Sequence, residues 1–88
     1  MEVLIKKATD FKLKYPGFII LMLVGKNGNT AQAYNHDARI MANILELPLL
    51  NYNGNDYCEF DYKNLDKYLP KLVRSGEKVV ICEQTQEP

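Results

Sequence analysis

The sequence predicts an α/β domain with a mixed sheet of about five strands and three helices. Helical and strand-like apolar patterns alternate along the chain, and two Asn-Gly pairs mark tight turns between strands. The length of 88 residues leaves room for one hydrophobic core. Hydrophobic residues make up 47% of the chain and charged residues 25%, which is typical of a folded globular protein. We therefore expect residues 1–88 to form a single module.

The first half of the chain begins with a helix and a hairpin. Apolar residues recur at helical spacing from Glu2 to Tyr15, and Pro16-Gly17 ends this helix. Phe18–Val24 is continuously apolar, as in a strand that is covered on both faces. Asn27-Gly28 favours a tight turn, so Thr30–Tyr34 is expected to return as the paired strand.

A second helix is expected from about Asp37 to Leu45, and it is apolar on two sides. Its polar stripe is narrow and contains Arg39, Asn43 and Glu46. A helix of this kind either packs on two sides or presents apolar surface to a partner. Ile40 and Ile44 are therefore candidates for an interface with another protein or with a second copy of the chain.

The second half of the chain continues the alternation. Pro48–Tyr52 and Tyr57–Phe60 are expected as short strands around the second Asn-Gly pair. A third helix is expected from about Tyr62 to Ser75, and Pro70 should kink or split it because proline removes a backbone donor. Lys78–Glu83 is expected to form the last strand.

The third helix carries a row of cations opposite its apolar face. Their spacings are four, four and three residues, and the row consists of Lys63, Lys67, Lys71 and Arg74. At about 100° per residue they lie within one narrow arc. Such a row is typical either of a contact with a phosphate backbone or of a solvated helix face. Eleven Lys and Arg balance eleven Asp and Glu, so attraction to nucleic acid has to be local.

The remaining reactive residues form no recognisable catalytic or metal site. His36 is the only histidine and has no identifiable partner, and the two cysteines, Cys58 and Cys82, give no disulfide framework. An acidic cluster matches no compact cation-binding loop and consists of Asp56, Glu59 and Asp61. We expect neither enzymatic activity nor a cofactor nor a bound metal.

Membrane insertion and secretion are not expected. The longest apolar run, Phe18–Val24, has the length of a strand, whereas a membrane span needs roughly 18 apolar residues or more. The N-terminus lacks the basic region that precedes the apolar part of a signal peptide. Together with the sparse cysteines, these features lead us to expect a cytoplasmic protein.

Two parts of the chain match a known sequence pattern. The more specific part is Leu65–Gly76 followed by Val79–Gln84 with its Cys-Glu-Gln ending. The other part runs from Lys14 to Gly25 and resumes at Asp37-Ala38. With these residues the chain resembles the N-terminal domain of the MutS mismatch-repair proteins, MutS domain I, over about Asp10 to Pro88. The resemblance implies a small mixed α/β domain that follows the backbone of double-stranded DNA in mismatch repair.

The family reads a mismatch with a Phe-x-Glu motif, which follows the glycine at the end of the first apolar strand. The phenylalanine is inserted beside the mismatched base, and the glutamate hydrogen-bonds to that base. Here Gly25 precedes Lys26, and Asn27 and Asn29 stand where the phenylalanine and glutamate would be. About three extra residues are then needed to reach Asp37.

The resemblance therefore implies a non-catalytic module that contacts the DNA backbone without reading mismatches. The candidate contacts are Lys26, Asn27 and Asn29 of the hairpin and Lys63, Lys67, Lys71 and Arg74 of the third helix. The alternative is an interaction module that kept the fold, lost the DNA task and binds a partner through Ile40 and Ile44.

Overall fold

The computed structural model describes residues 2–83; Met1 and the end of the resembling region, Gln84–Pro88, lie outside them. In chain order the described elements are α1 (Glu2–Lys14), β1 (Phe18–Val24), β2 (Thr30–Tyr34), α2 (Asn35–Leu45), β3 (Leu50–Tyr52), β4 (Asn55–Asp61), α3 (Leu65–Arg74) and β5 (Lys78–Glu83). Single turns of 3-10 helix lie at Lys26–Gly28 and Tyr62–Asn64. The predicted α/β architecture with three helices and five strands is confirmed for this part of the chain.

The strands form one mixed sheet in the order β3-β4-β2-β1-β5. β1 is parallel to β5, with Phe18 opposite Lys78, and antiparallel to β2, with Val24 opposite Thr30. β4 pairs antiparallel with both β2 and β3. Because β1 and β5 are parallel, both begin at one edge of the sheet, which we call the start edge. The turn at residues 25–29 lies at the opposite end of the strands, which we call the hairpin edge.

Helices cover both faces of the sheet. α2 and α3 pack on one face, over a core that contains Leu21, Met41 and Leu72. α1 packs on the other face, over a core that contains Ile20 and Met22. Residues 19–24 of β1 are all buried because alternate side chains enter the two cores. This explains why β1 is continuously apolar in the sequence.

Both Asn-Gly pairs adopt the backbone angles that favoured them as turns. Asn27 and Gly28 have φ values of 63° and 62°, and Asn53 and Gly54 have φ values of 49° and 82°. Two successive residues with positive φ are typical of the turn that matches the twist of a hairpin. The predicted hairpins β1–β2 and β3–β4 are confirmed.

Two helices begin at other residues than the sequence predicts. α2 starts at Asn35, two residues before Asp37. The predicted third helix is divided into the 3-10 turn Tyr62–Asn64 and α3. The Asp61 carboxylate accepts a hydrogen bond from the backbone N–H of Lys63 and caps that turn. Lys63 therefore belongs to the turn and not to α3.

Of the two outcomes that the sequence predicts for Pro70, a kink or a split of the third helix, the split does not occur. Leu65–Arg74 is one α-helix with Pro70 inside it. Pro70 is exposed, so water can bond to the Asp66 carbonyl that the missing proline N–H leaves free. None of the helices described here is long and apolar enough to cross a membrane.

Candidate nucleic-acid interface

The β1–β2 turn and the 3-10 turn before α3 lie side by side at the hairpin edge. The backbone N–H of Tyr62 donates to the Asn29 carbonyl at 2.8 Å, which joins the two turns. Lys26, Asn27, Asn29 and Lys63 are all exposed. The structure therefore brings together four of the seven residues that the sequence predicts as DNA contacts.

The other three predicted contacts follow α3 away from the hairpin edge. Lys67, Lys71 and Arg74 are exposed on α3, and Arg74 is its last residue. A helix of ten residues is about 15 Å long at 1.5 Å per residue. The row thus runs along the sheet, and its far end reaches the start edge.

Among the predicted cations, Lys63 lies near an acidic side chain, whereas the cations of α3 do not form ion pairs within residues 2–83. The Lys63 ammonium lies 3.8 Å from a carboxylate oxygen of Asp61. Within residues 2–83, Lys67, Lys71 and Arg74 form no ion pair. A phosphate that approaches these three residues does not compete with a carboxylate of the described chain.

A partly buried ion pair joins α1, β1 and α2. The Lys12 ammonium lies 2.8 Å from Asp37 Oδ1 and also donates to the Phe18 carbonyl. The other carboxylate oxygen, Asp37 Oδ2, accepts the backbone N–H of Ile20 at 3.1 Å. Asp37 is buried and Lys12 is about one-third exposed. Three elements are therefore fixed to one carboxylate.

The Asp37 carboxylate also hydrogen-bonds to the backbone of β1 beyond the point where β1 and β2 stop pairing. The register between the two strands ends at Met22 opposite Gln32. Ile20 lies beyond that point, so its N–H bonds to Asp37 in place of a β2 carbonyl. The sequence motif Asp37-Ala38 is thereby explained as a structural feature of the α2 start.

The residues predicted as a protein interface pack largely against the chain itself. Ile40 and Ile44 are half-buried and contact the core between α2, α3 and the sheet, as do Leu65 and Tyr68 of α3. The second apolar side of α2 is thus covered in part by α3. A partner at the surface that remains accessible on Ile40 and Ile44 stays a prediction.

The other polar residues singled out in the sequence include a hydrogen-bonded carboxylate, a buried thiol and an exposed histidine. The amide of Asn51 and the guanidinium of Arg39, 2.6 Å away, hydrogen-bond to Asp56 and hold the pKa of this carboxyl below its usual range. Burial raises the pKa of the Cys58 thiol to about 11. His36 is exposed. Within residues 2–83, no group of three or more His, Cys, Asp or Glu is placed to hold a metal ion.

A polar network that the sequence did not reveal lies on the α1 side of β2. The Tyr34 hydroxyl donates to Gln32 Oε1 at 2.7 Å, and Gln32 Nε2 donates to Glu59 at 2.7 Å. Burial, and next the Glu59 charge, raise the pKa of Tyr34, so its hydroxyl stays protonated at neutral pH. The first bond lies within β2, and the second joins β2 to β4.

A sequence match along nearly the entire chain identifies the family to which this fold belongs. The family model for MutS domain I matches residues 3–88. The chain belongs to the MutS domain I family. The resemblance drawn from Leu65–Gly76 and its neighbours is therefore confirmed.

Whole MutS proteins contain regions similar to this MutS domain I. The DNA mismatch repair protein MutS of Parabacteroides distasonis is 39% identical over 90 residues, and that of Christiangramia forsetii is 37% identical over 89 residues. The MutS of Petrotoga mobilis is 33% identical over 85 residues. Each alignment covers 97% of this chain and 10% of the relative. The chain thus spans about a tenth of the length of the curated relatives it matches.

The β1–β2 turn is where this MutS domain I departs from the Phe-x-Glu motif. About three extra residues separate Gly25 from Asp37, and the five-residue turn 25–29 has room for them. The motif positions, counted forward from Gly25 or back from Asp37, are Asn27 with Asn29 or Thr30 with Gln32. Neither placement supplies an aromatic ring or a carboxylate. The difference from the motif does not depend on where the extra residues are placed.

Proposed function

We propose that this chain is a non-catalytic module that binds the backbone of double-stranded DNA in mismatch repair without reading the mismatched base. Membership of the MutS domain I family and the names of the relatives support the connection to mismatch repair. Backbone binding rests on one observation: Lys67, Lys71 and Arg74 are exposed and form no ion pair within residues 2–83. Cations in this state bind phosphates by releasing counterions from the DNA, whatever its sequence.

Replacing Lys67 and Lys71 with alanine tests backbone binding. Each phosphate contact contributes about 0.9 to the slope of log affinity against log salt concentration, so losing two should reduce the slope by about 1.8. Affinity should fall alike for all duplex sequences, because phosphate contacts carry no sequence information. Fluorescence anisotropy of a labelled duplex, titrated with the 88-residue chain at several salt concentrations, measures both quantities.

The matched control removes the same charge from the opposite face of the sheet. Lys6→Ala combined with Lys7→Ala changes two exposed lysines of α1, and we expect it to alter the slope much less. Equal losses in both double variants would contradict a binding surface on α3. No binding by the unaltered chain at low salt would contradict the proposed function as a whole.

The affinity for a mismatched duplex should equal that for the matched duplex within about tenfold, which corresponds to about 1.4 kcal/mol. The physical reason is the composition of the β1–β2 turn. Asparagine can hydrogen-bond to phosphates or groove edges, but it has no apolar ring to wedge into a base step. Parallel titrations with matched and single-mismatch duplexes give the ratio. A stronger preference for the mismatch would show that another residue has taken over the role of the wedge.

A further inference from the structure

We infer that the Asp61 carboxylate limits the affinity of this chain for DNA, because it repels phosphates and pairs with Lys63. This inference rests on the proposed function and adds a residue that opposes it. Asp61 lies between the two groups of residues that are proposed to contact DNA, the β1–β2 turn and the cations of α3. Replacing Asp61 with asparagine should therefore strengthen binding.

Asp61 is the last residue of β4 and lies at the hairpin edge. It pairs with Thr30, the first residue after the β1–β2 turn. The next residue, Tyr62, donates its backbone N–H to the Asn29 carbonyl of that turn at 2.8 Å. In the other direction, α3 begins four residues after Asp61, at Leu65. The carboxylate is therefore close to both groups of proposed DNA contacts.

The Asp61 side chain is accessible to a bound duplex and pairs with a neighbouring cation. It is 50% exposed, and one carboxylate oxygen lies 3.8 Å from the Lys63 ammonium, whose side chain is 79% exposed. Among the seven proposed DNA contacts, Lys63 is the one that forms an ion pair within residues 2–83. A carboxylate at this place repels an approaching phosphate and competes with it for Lys63.

The neighbouring acidic residues Glu59 and Asp66 are placed differently. Glu59 accepts a hydrogen bond from the Gln32 amide at 2.7 Å, so its carboxylate is held by β2. Asp66 lies in the first turn of α3, directly before Lys67, and at about 100° per residue it points away from the arc of the cations. Neither of them forms an ion pair within residues 2–83. Asp61 is therefore the acidic residue that opposes the proposed contacts most directly.

The substitution Asp61→Asn removes the charge and keeps the local fold. One oxygen of the Asp61 carboxylate accepts the backbone N–H of Lys63 at 3.3 Å and caps the 3-10 turn Tyr62–Asn64. Asparagine caps helical turns about as well as aspartate, because its amide oxygen accepts the same hydrogen bond. The backbone that connects the β1–β2 turn with α3 is therefore retained, and a change in affinity reports on the charge.

Titration of a labelled matched duplex with the 88-residue Asp61→Asn chain at several salt concentrations tests the inference. The affinity at low salt should rise about threefold or more, and the released Lys63 should steepen the salt dependence by up to about 0.9. The matched control is Asp10→Asn, which makes the same charge change at an exposed residue of α1 on the opposite face of the sheet. It should change the affinity by less than about 1.5-fold, because salt screens a distant charge. Urea unfolding first establishes that both variants fold; Asp61→Ser, which also retains a capping oxygen, replaces Asp61→Asn if that chain does not.

Lys63→Ala gives a second readout and separates this inference from the proposed function. Beside Asp61 it should change the affinity little, because the cation is already paired, whereas in the Asp61→Asn background it should remove much of the gain. An effect of equal size in both backgrounds would overturn the inference. So would an affinity that Asp61→Asn leaves unchanged, or an equal gain in Asp10→Asn, and backbone binding would remain intact in each case. No binding by the unaltered chain at low salt would overturn both the inference and the proposed function.

Discussion

Replacing Asp37 with alanine is expected to lower the free energy of unfolding by about 3 kcal/mol. The change removes the acceptor for the Ile20 N–H, the counter-charge of Lys12 and the link between them. Breaking a buried ion pair by removing one partner costs about 3–5 kcal/mol, and the partial exposure of Lys12 places this pair at the lower end. Small domains are stable by only about 5–15 kcal/mol, so the loss is large. Urea unfolding followed by circular dichroism measures it.

Two further variants identify which property of Asp37 matters. Asp37→Asn keeps an oxygen for the Ile20 N–H and loses the charge, so it should destabilise the domain less than the alanine variant. Asp10→Ala removes an exposed carboxylate from α1 and should change the free energy of unfolding by less than about 0.5 kcal/mol. An Asp37→Ala chain as stable as the unaltered chain would mean that the cost of desolvating the carboxylate equals what its contacts contribute.

Replacing Leu72 with alanine is expected to cost about 3 kcal/mol of stability as well. Leu72 is the fully buried residue of α3 and lies in the core beneath α2 and α3, where Leu65 and Tyr68 are only partly buried. Leucine-to-alanine changes in cores cost about 2–5 kcal/mol, because the lost contacts and the remaining cavity both contribute. The adjacent Val73 is 57% exposed, so Val73→Ala is a matched control with an expected change below about 0.5 kcal/mol.

The Leu72 variant also separates stability from binding. Lys67, Lys71 and Arg74 depend on Leu72 only for the attachment of α3 to the sheet. At low temperature, where the variant is still folded, we expect its affinity for duplex DNA to equal that of the unaltered chain. A domain that stays as stable as before would show that Leu72 does not anchor α3, and the packing of this helix would need revision.

Local sequence signals predicted most of the elements. The continuous apolar run Phe18–Val24 identified the central strand because both faces of it are covered. The Asn-Gly pairs identified both hairpins because few other residues tolerate two successive positive φ angles. The capping of the turn at Tyr62–Asn64 by Asp61 was missed, since capping depends on the precise start of a helix.

Features that depend on distant pairs were not predictable from one sequence. Lys12 and Asp37 are 25 residues apart, and nothing in their local context indicates that they meet. The position of β5 beside β1 joins Phe18 to Lys78 across 60 residues. The sequence therefore predicted the cations of the third helix, which share a local spacing, and missed the ion pair of Lys12 with Asp37, which only the fold brings together.

The described residues carry unlike charge at the two ends of the strands. Residues 11–18 and 71–78, near the start edge, contain five Lys or Arg and one acidic residue, with Asp37 and Asp56 also at that edge, whereas residues 24–30 and 59–66, at the hairpin edge, contain two Lys and three Asp or Glu. These charges give the described part of this electrically neutral chain a dipole moment along its strands. A strand of six residues is about 20 Å long, more than twice the Debye length of about 8 Å at physiological salt. An anionic surface near one edge therefore interacts with the charges of that edge and hardly with the charges of the other edge. In the electric field of an anionic surface the chain would rotate before contact, so that the beginnings of β1 and β5 face that surface. Such pre-orientation raises the association rate constant, and it should fade as added salt shortens the range of the field.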